Sequence, residues 1–86
     1  MVNVTDVHME GGSGHEHIAE VKWRNPSNGE TGISSRQQMI EFINGGGDVR
    51  VQVGSNSVQV GVWEKKWLRT HADGVWKDNL LALPRY

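Results

Sequence analysis

The stretch 49-VRVQVGSNSVQVGV-62 decides the fold class. Its first valines, Val49, Val51 and Val53, are odd-numbered; its last, Val58, Val60 and Val62, are even-numbered. Side chains alternate between the two faces of a strand, so each run has one apolar and one polar face. Gly54-Ser55-Asn56-Ser57 between them is turn chemistry. A tip at Ser55-Asn56 sets Val53 against Val58, Val51 against Val60 and Val49 against Val62. All six valines then share one face, which is the pattern of a half-buried antiparallel hairpin that needs a covering layer.

Upstream, 34-SSRQQMIEFIN-44 supplies that layer. Met39, Ile40 and Ile43, with Phe42 beside them, form an apolar stripe at helical spacing. Ser34 or Ser35 caps the helix, and Ser35-x-x-Gln38 has the capping-box spacing. Gly45-Gly46-Gly47 ends it, because the residue after a helix often needs a left-handed backbone.

Before the helix stands another hairpin. The run 2-VNVTDVHM-9 reads as a strand, Gly11 to Gly14 as its turn, and 17-HIAEVKW-23 as the returning strand. Asn-Pro and Asn-Gly mark 24-RNPSNGETG-32 as a loop. Beyond the valine hairpin, 67-WLRTH-71 and 75-VWKD-78 read as short strands around an Asp73-Gly74 turn, and 79-NLLALPRY-86 packs down on the core. The expectation is one domain over 1–86 of α+β class. It has a ββαββ core with a mostly antiparallel sheet, one helix over about 34–44 packed on it, and a β-rich C-terminal extension.

Composition narrows the function. Nine basic and ten acidic residues give a net charge of -1, unlike the basic excess of a general nucleic-acid binder. The lack of cysteine excludes disulfides and thiolate chemistry. No window approaches the roughly 20 apolar residues of a membrane span. MVNVTDVHMEGG lacks the basic head and apolar run of a signal peptide. A small fold without staples is compatible with the cytoplasm. The four tryptophans, Trp23, Trp63, Trp67 and Trp76, are expected to carry much of the burial in so small a core.

Several separated motifs resemble one family. Met9-Glu10-Gly11-Gly12, His15-Glu16-His17-Ile18, Val21 and Trp23 come first, then Ser35-Arg36-Gln37-Gln38-Met39, then 68-LRTHADGVWKDNLLALPRY-86. In this order they resemble small bacterial and phage proteins catalogued as a domain of unknown function (domain of unknown function 3892), over nearly the whole chain. The resemblance implies a bacterial or bacteriophage source, hence a cytoplasmic setting. It carries no catalytic residue over to this sequence.

Three surfaces can carry a function. The first is the histidine hairpin. With its tip at Gly12-Ser13, Glu10 faces His15, His8 faces His17, Val4 faces Val21 and Val2 faces Trp23. His8, His15 and His17, with Glu10 as a fourth ligand, would then suit a divalent metal such as zinc. A loop one residue longer moves His8 to the opposite face, and the site becomes the polar end of a hairpin.

The second is 63-WEKKWLRTHADGVWK-77, where Trp63, Trp67 and Trp76 alternate with Lys65, Lys66, Arg69 and Lys77. Aromatics among cations can stack bases and neutralise phosphates. The bland reading keeps the tryptophans inside and spreads the cations over apolar surface by their stems.

The third is the sheet itself, whose edges and open face can recruit another protein or a second copy. Gly61 in a valine-rich strand marks a bulge or a close approach.

Enzyme readings are poor. Gly45-Gly46-Gly47 follows a helix instead of opening one, so it is no phosphate loop. His71, Asp73 and Asp78 lie near one another in sequence but lack a nucleophile. The leading expectation is therefore a non-enzymatic protein-binding domain with no cofactor and no membrane contact. The alternatives are nucleic-acid binding through 63–77 and metal binding through the histidine hairpin.

Overall fold

The computed structural model describes residues 1–72 and 74–86; the expected Asp73-Gly74 turn rests on Asp73, outside the described residues. Among the described residues, seven strands and one helix follow the order βββαββββ: β1 (Val2–Met9), β2 (Ile18–Arg24), β3 (Thr31–Ser35), α1 (Arg36–Asn44), β4 (Val49–Val53), β5 (Asn56–Trp63), β6 (Trp67–Ala72) and β7 (Val75–Lys77). Short 3₁₀ turns occupy His15–His17 and Asn79–Ala82. One mixed sheet runs β3-β2-β1-β4-β5-β6-β7. Among the described residues its pairings are antiparallel except β1 with β4.

The expected ββαββ order needs one correction. The loop expected over 24–32 reaches Thr31 and Gly32, and the helix expected over 34–44 starts at Ser34, with Ile33 between them. Thr31 to Ser35 instead form β3, paired along its length with β2 from Thr31↔Arg24 to Ser35↔Glu20. The turn signals Asn25-Pro26 and Asn28-Gly29 fill a tight connection, closed by Asn25 N–H donating to Glu30 O at 2.7 Å. The strand then ends in the helix cap. Ser35 Oγ accepts from Gln38 N–H at 3.2 Å, and Ser35 N–H donates to Gln38 Oε1 at 2.8 Å, as the capping-box spacing predicts.

The valine hairpin keeps its face but shifts its register. Val51 opposes Val58 and Val53 opposes Asn56, so the tip is Gly54-Ser55. Gly54 takes φ +60°, the left-handed value that a primed two-residue turn requires and glycine adopts without a side-chain clash. A shift of two residues preserves parity, and Val49, Val51 and Val60 stay in the core.

The first hairpin departs further. Val4 pairs with Trp23, Val7 with Val21, His8 with Glu20 and Met9 with Ile18, with irregularities between Val4 and Asp6 and between His8 and Met9. The extra residue at Thr5 lets Val4 and Val7, three apart, both face inward at 3% and 0% exposure. The 3₁₀ turn takes His15–His17 out of the ladder, which removes the two-residue tip.

The core is aliphatic. None of the four tryptophans is fully buried; Trp23 packs at its border and Trp76 is exposed. Valines of the sheet meet Met39 and Ile40 of α1 instead. Phe42, expected in that stripe, turns outward over Gly47. Helix α1 touches β2 and β3 as well as β5 and β6, so the sheet curls around it.

The C-terminal segment completes the core. Leu80 is wholly buried. It is held by buried Thr70, whose hydroxyl accepts from Asn79 N–H and lies 3.1 Å from Asn79 Oδ1. Residues 84–86 then run beside the part of β1 that β4 leaves open. There Val7 N–H donates to Pro84 O at 2.9 Å and Tyr86 N–H donates to Val7 O at 3.2 Å.

Candidate functional site

The structure does not gather the histidines of the first hairpin into one ligand set. His8 projects from β1, donating from Nδ1 to the main-chain oxygen of Tyr86 at 2.6 Å, with Nε2 3.5 Å from Glu10 Oε1. That hydrogen bond, aided by Glu10 and Glu20, raises its pKa against a smaller desolvation effect. His17 donates from Nδ1 to Glu10 O at 3.0 Å, and its Nε2 lies 3.6 Å from Glu16 Oε1. His15 is buried, its ring edge-on to Trp63 with centroids 5.8 Å apart. Its Nε2 lacks a hydrogen-bond partner among the described residues and lies 3.6 Å from Asp78 Oδ1. Burial lowers its pKa, and the charge of Arg69 adds to this.

Among the described residues no group of three metal-ligating side chains converges. The cause is local: about three residues per 3₁₀ turn send His15 and His17 to different sides, and the bulged ladder sets His8 opposite Glu20.

The tryptophan–lysine segment is partly assembled. Trp63 and Trp67 stand opposite one another at the end of the β5–β6 hairpin. The turn carries Glu64 and Lys65 at φ 54° and 64°. Lys65 and Lys66 are exposed beside the tryptophans. Yet each indole already holds a cation of the same chain. Arg69 lies 4.5 Å over Trp63 and Arg36 lies 4.7 Å over Trp67. Arg69 is further tied to Asp78 at 3.0 Å and to Lys77 O at 3.1 Å. Trp76 sits one strand away against His71, with Gly61 as the close approach beneath them, and Lys77 is exposed on β7. Among the described residues the segment therefore offers exposed ammonium groups but engaged ring faces.

The two sheet edges differ in kind. Strand β7 is three residues long and ends on a lysine, features that blunt natural edges. Strand β3 is five residues long and wholly uncharged, and its Ile33 is 55% exposed. On the helix side of β3 lies an apolar groove of about 170 Å³ lined by Val2, Trp23, Ser34, Gln38, Met39 and Phe42. Trp23 donates from Nε1 to Ser34 Oγ at 3.0 Å, and its ring lies over Gly32 so closely that a Cβ there would meet it at 2.5 Å. Turn signals on one side and cap signals on the other concealed this edge in the sequence; Thr31 and Ile33, β-branched and two apart, were its trace.

No helix among the described residues is long and apolar enough to cross a membrane. No curated protein and no solved structure matches the chain. Residues 3–84, from the first strand to the segment beside β1, match the model of the family described as "Protein of unknown function (DUF3892)", and the chain belongs to that family.

Proposed function

We propose that the chain is a non-enzymatic, cytoplasmic binding domain whose partner is a protein, taken up as an added strand at β3. The carrying observation is the character of that edge: five uncharged residues around an exposed Ile33, without the charge, proline or brevity that guard natural edges. The groove beside it supports the reading, because strand addition draws affinity from main-chain hydrogen bonds and selectivity from pockets for alternate side chains. Its volume suits one branched or aromatic side chain, since a cavity of about 150 Å³ holds benzene.

The test is a selection of displayed random peptides on the protein, counter-selected on Ile33→Lys. Peptides that discriminate the two proteins and shift the amides of Thr31–Ser35 support the reading. Peptides that bind both equally, or shift only other strands, overturn it.

A second reading rests on Lys65 and Lys66 beside Trp63 and Trp67: single-stranded nucleic acid on the β5–β6 hairpin. It expects salt-dependent binding that Lys65→Glu with Lys66→Glu abolishes. An oligonucleotide that leaves the Lys65–Trp67 amides unmoved at low salt removes it.

A further inference from the structure

Residues 84–86 fill a slot on β1 in the manner of a bound peptide. Strand β1 is paired with β4 at Val2 and Asn3. Further along, the strap 84–86 lies parallel to it, with Arg85 bridged to Val7. Val7 gives its N–H to Pro84 O and receives the Tyr86 N–H on its own carbonyl. An added parallel strand is held in this way. His8 closes the slot, because its Nδ1 donates to Tyr86 O at 2.6 Å.

The Tyr86 side chain has a seat of its own. On the outer face of β1 and β2, Asp6 stands opposite Lys22, and His8 opposite Glu20. Lys22 Nζ lies 4.5 Å from the centroid of the phenol ring, and the His8 ring lies 5.4 Å away. Burial, with the charges of Glu20 and Asp6, raises the phenol pKa and keeps it neutral.

The seat suits the ring and not the hydroxyl. Among the described residues, Tyr86 Oη is buried without a hydrogen-bond partner. A hydroxyl so placed forfeits the bonds it had in water, whereas phenylalanine keeps the ring contacts and forfeits nothing. The strap is also lightly attached. Pro84 and Arg85 are exposed, and Arg85 bonds back to Leu81 O and Leu83 O. Leu83, just before them, is the nearest residue packed on the core. A segment with so few contacts opens without unfolding the core.

We infer that the β1 slot is a peptide-binding site that the chain blocks with its own strap, and that its ligand is an extended segment of another protein with phenylalanine in the place of Tyr86. The slot is separate from the β3 edge and does not depend on it. Only the open fraction of the protein binds, so loosening the strap strengthens binding and tightening it weakens binding.

The probes are the synthetic peptides Ala-Leu-Pro-Arg-Phe and Ala-Leu-Pro-Arg-Tyr, followed in two-dimensional amide spectra of the full chain. Both are expected to shift Val7 and His8. The phenylalanine peptide is expected to bind at least about fivefold more tightly, the low end for a hydroxyl left unpaired. Tyr86 lies outside the aliphatic core, so Tyr86→Ala keeps the fold and raises the affinity for both peptides. Tyr86→Phe lowers it and slows amide exchange at Val7.

No shift of Val7 and His8 in Tyr86→Ala, with either peptide, overturns the site. Equal affinities, or a tighter tyrosine peptide, overturn the ligand. Peptides that shift Thr31–Ser35 instead belong to the β3 edge, and the β1 slot then falls while strand addition at β3 stands.

Discussion

His15 Nε2 lies 3.6 Å from Asp78 Oδ1, and this contact joins the first hairpin to the segment that follows the last strand. The imidazole is buried against Trp63, while Arg69 holds the same carboxylate at 3.0 Å. A residue that reads in sequence as a metal ligand is thus a packing element between distant parts of the chain.

Stability is expected to depend on pH through two histidines of opposite sign. Burial holds His15 below its ordinary 6.5, so above that value it is neutral in both states and costs nothing. As pH falls below it, the unfolded chain takes the proton first, and stability is lost down through the folded value. His8 is raised from 6.5 by its bond to Tyr86; its contribution is full below 6.5 and disappears as pH rises through the folded value. Urea melts between about pH 5 and 8 should show His15→Gln flattening the acid-side loss and His8→Asn removing the opposing gain. Identical pH profiles for both variants and the parent would refute the assignment.

Leu80→Ala should cost about 2–5 kcal/mol, the range for a buried leucine whose cavity collapses only in part. Leu80 has no exposed surface, and its segment also covers the open part of β1. Amide exchange at Val7, whose N–H donates to Pro84, should accelerate in the same variant. A variant as stable as the parent would show that the C-terminal segment is not part of the core.

Ser35→Ala removes one half of a reciprocal cap and should cost about 1 kcal/mol by denaturant melt. Gln38→Ala should cost less, since it leaves the serine cap of Gln38 N–H in place. A larger loss in Gln38→Ala than in Ser35→Ala would reverse the assignment of the dominant bond.

Gly32→Ala should destabilise by about 1–3 kcal/mol, the usual cost of overpacking. Its new methyl would stand 2.5 Å from the Trp23 ring. The indole must move, which breaks its bond to Ser34 and reshapes the groove. The Trp23 indole N–H resonance in a two-dimensional NMR spectrum reports this, and an unmoved resonance with unchanged stability would show that the ring does not lie on Gly32.

Much of the fold was legible because its signals are local. The alternation of Val49 to Val62 named two strands and their shared face. Ser35 with Gln38 placed the start of α1, and three glycines placed its end. The resemblance spanned nearly the whole chain, as the family match does.

The candidate site was less legible. Thr31 to Ser35 carries a strand too short for periodicity to separate from its flanks, and only pairing with β2 makes it one. The same limit applies to the histidines. Their residue types were plain, but their directions depend on a bulge at Thr5 and a 3₁₀ turn.

By itself, then, the sequence determined which segments are strands or helix where side-chain period and cap chemistry act within a few residues. Only the tertiary structure decided register, the aliphatic core in which no tryptophan is fully buried, and β3 as the uncharged edge. Those features depend on contacts between residues far apart in the chain. A shift of one residue in such a pairing exchanges inside for outside while leaving the local pattern unchanged.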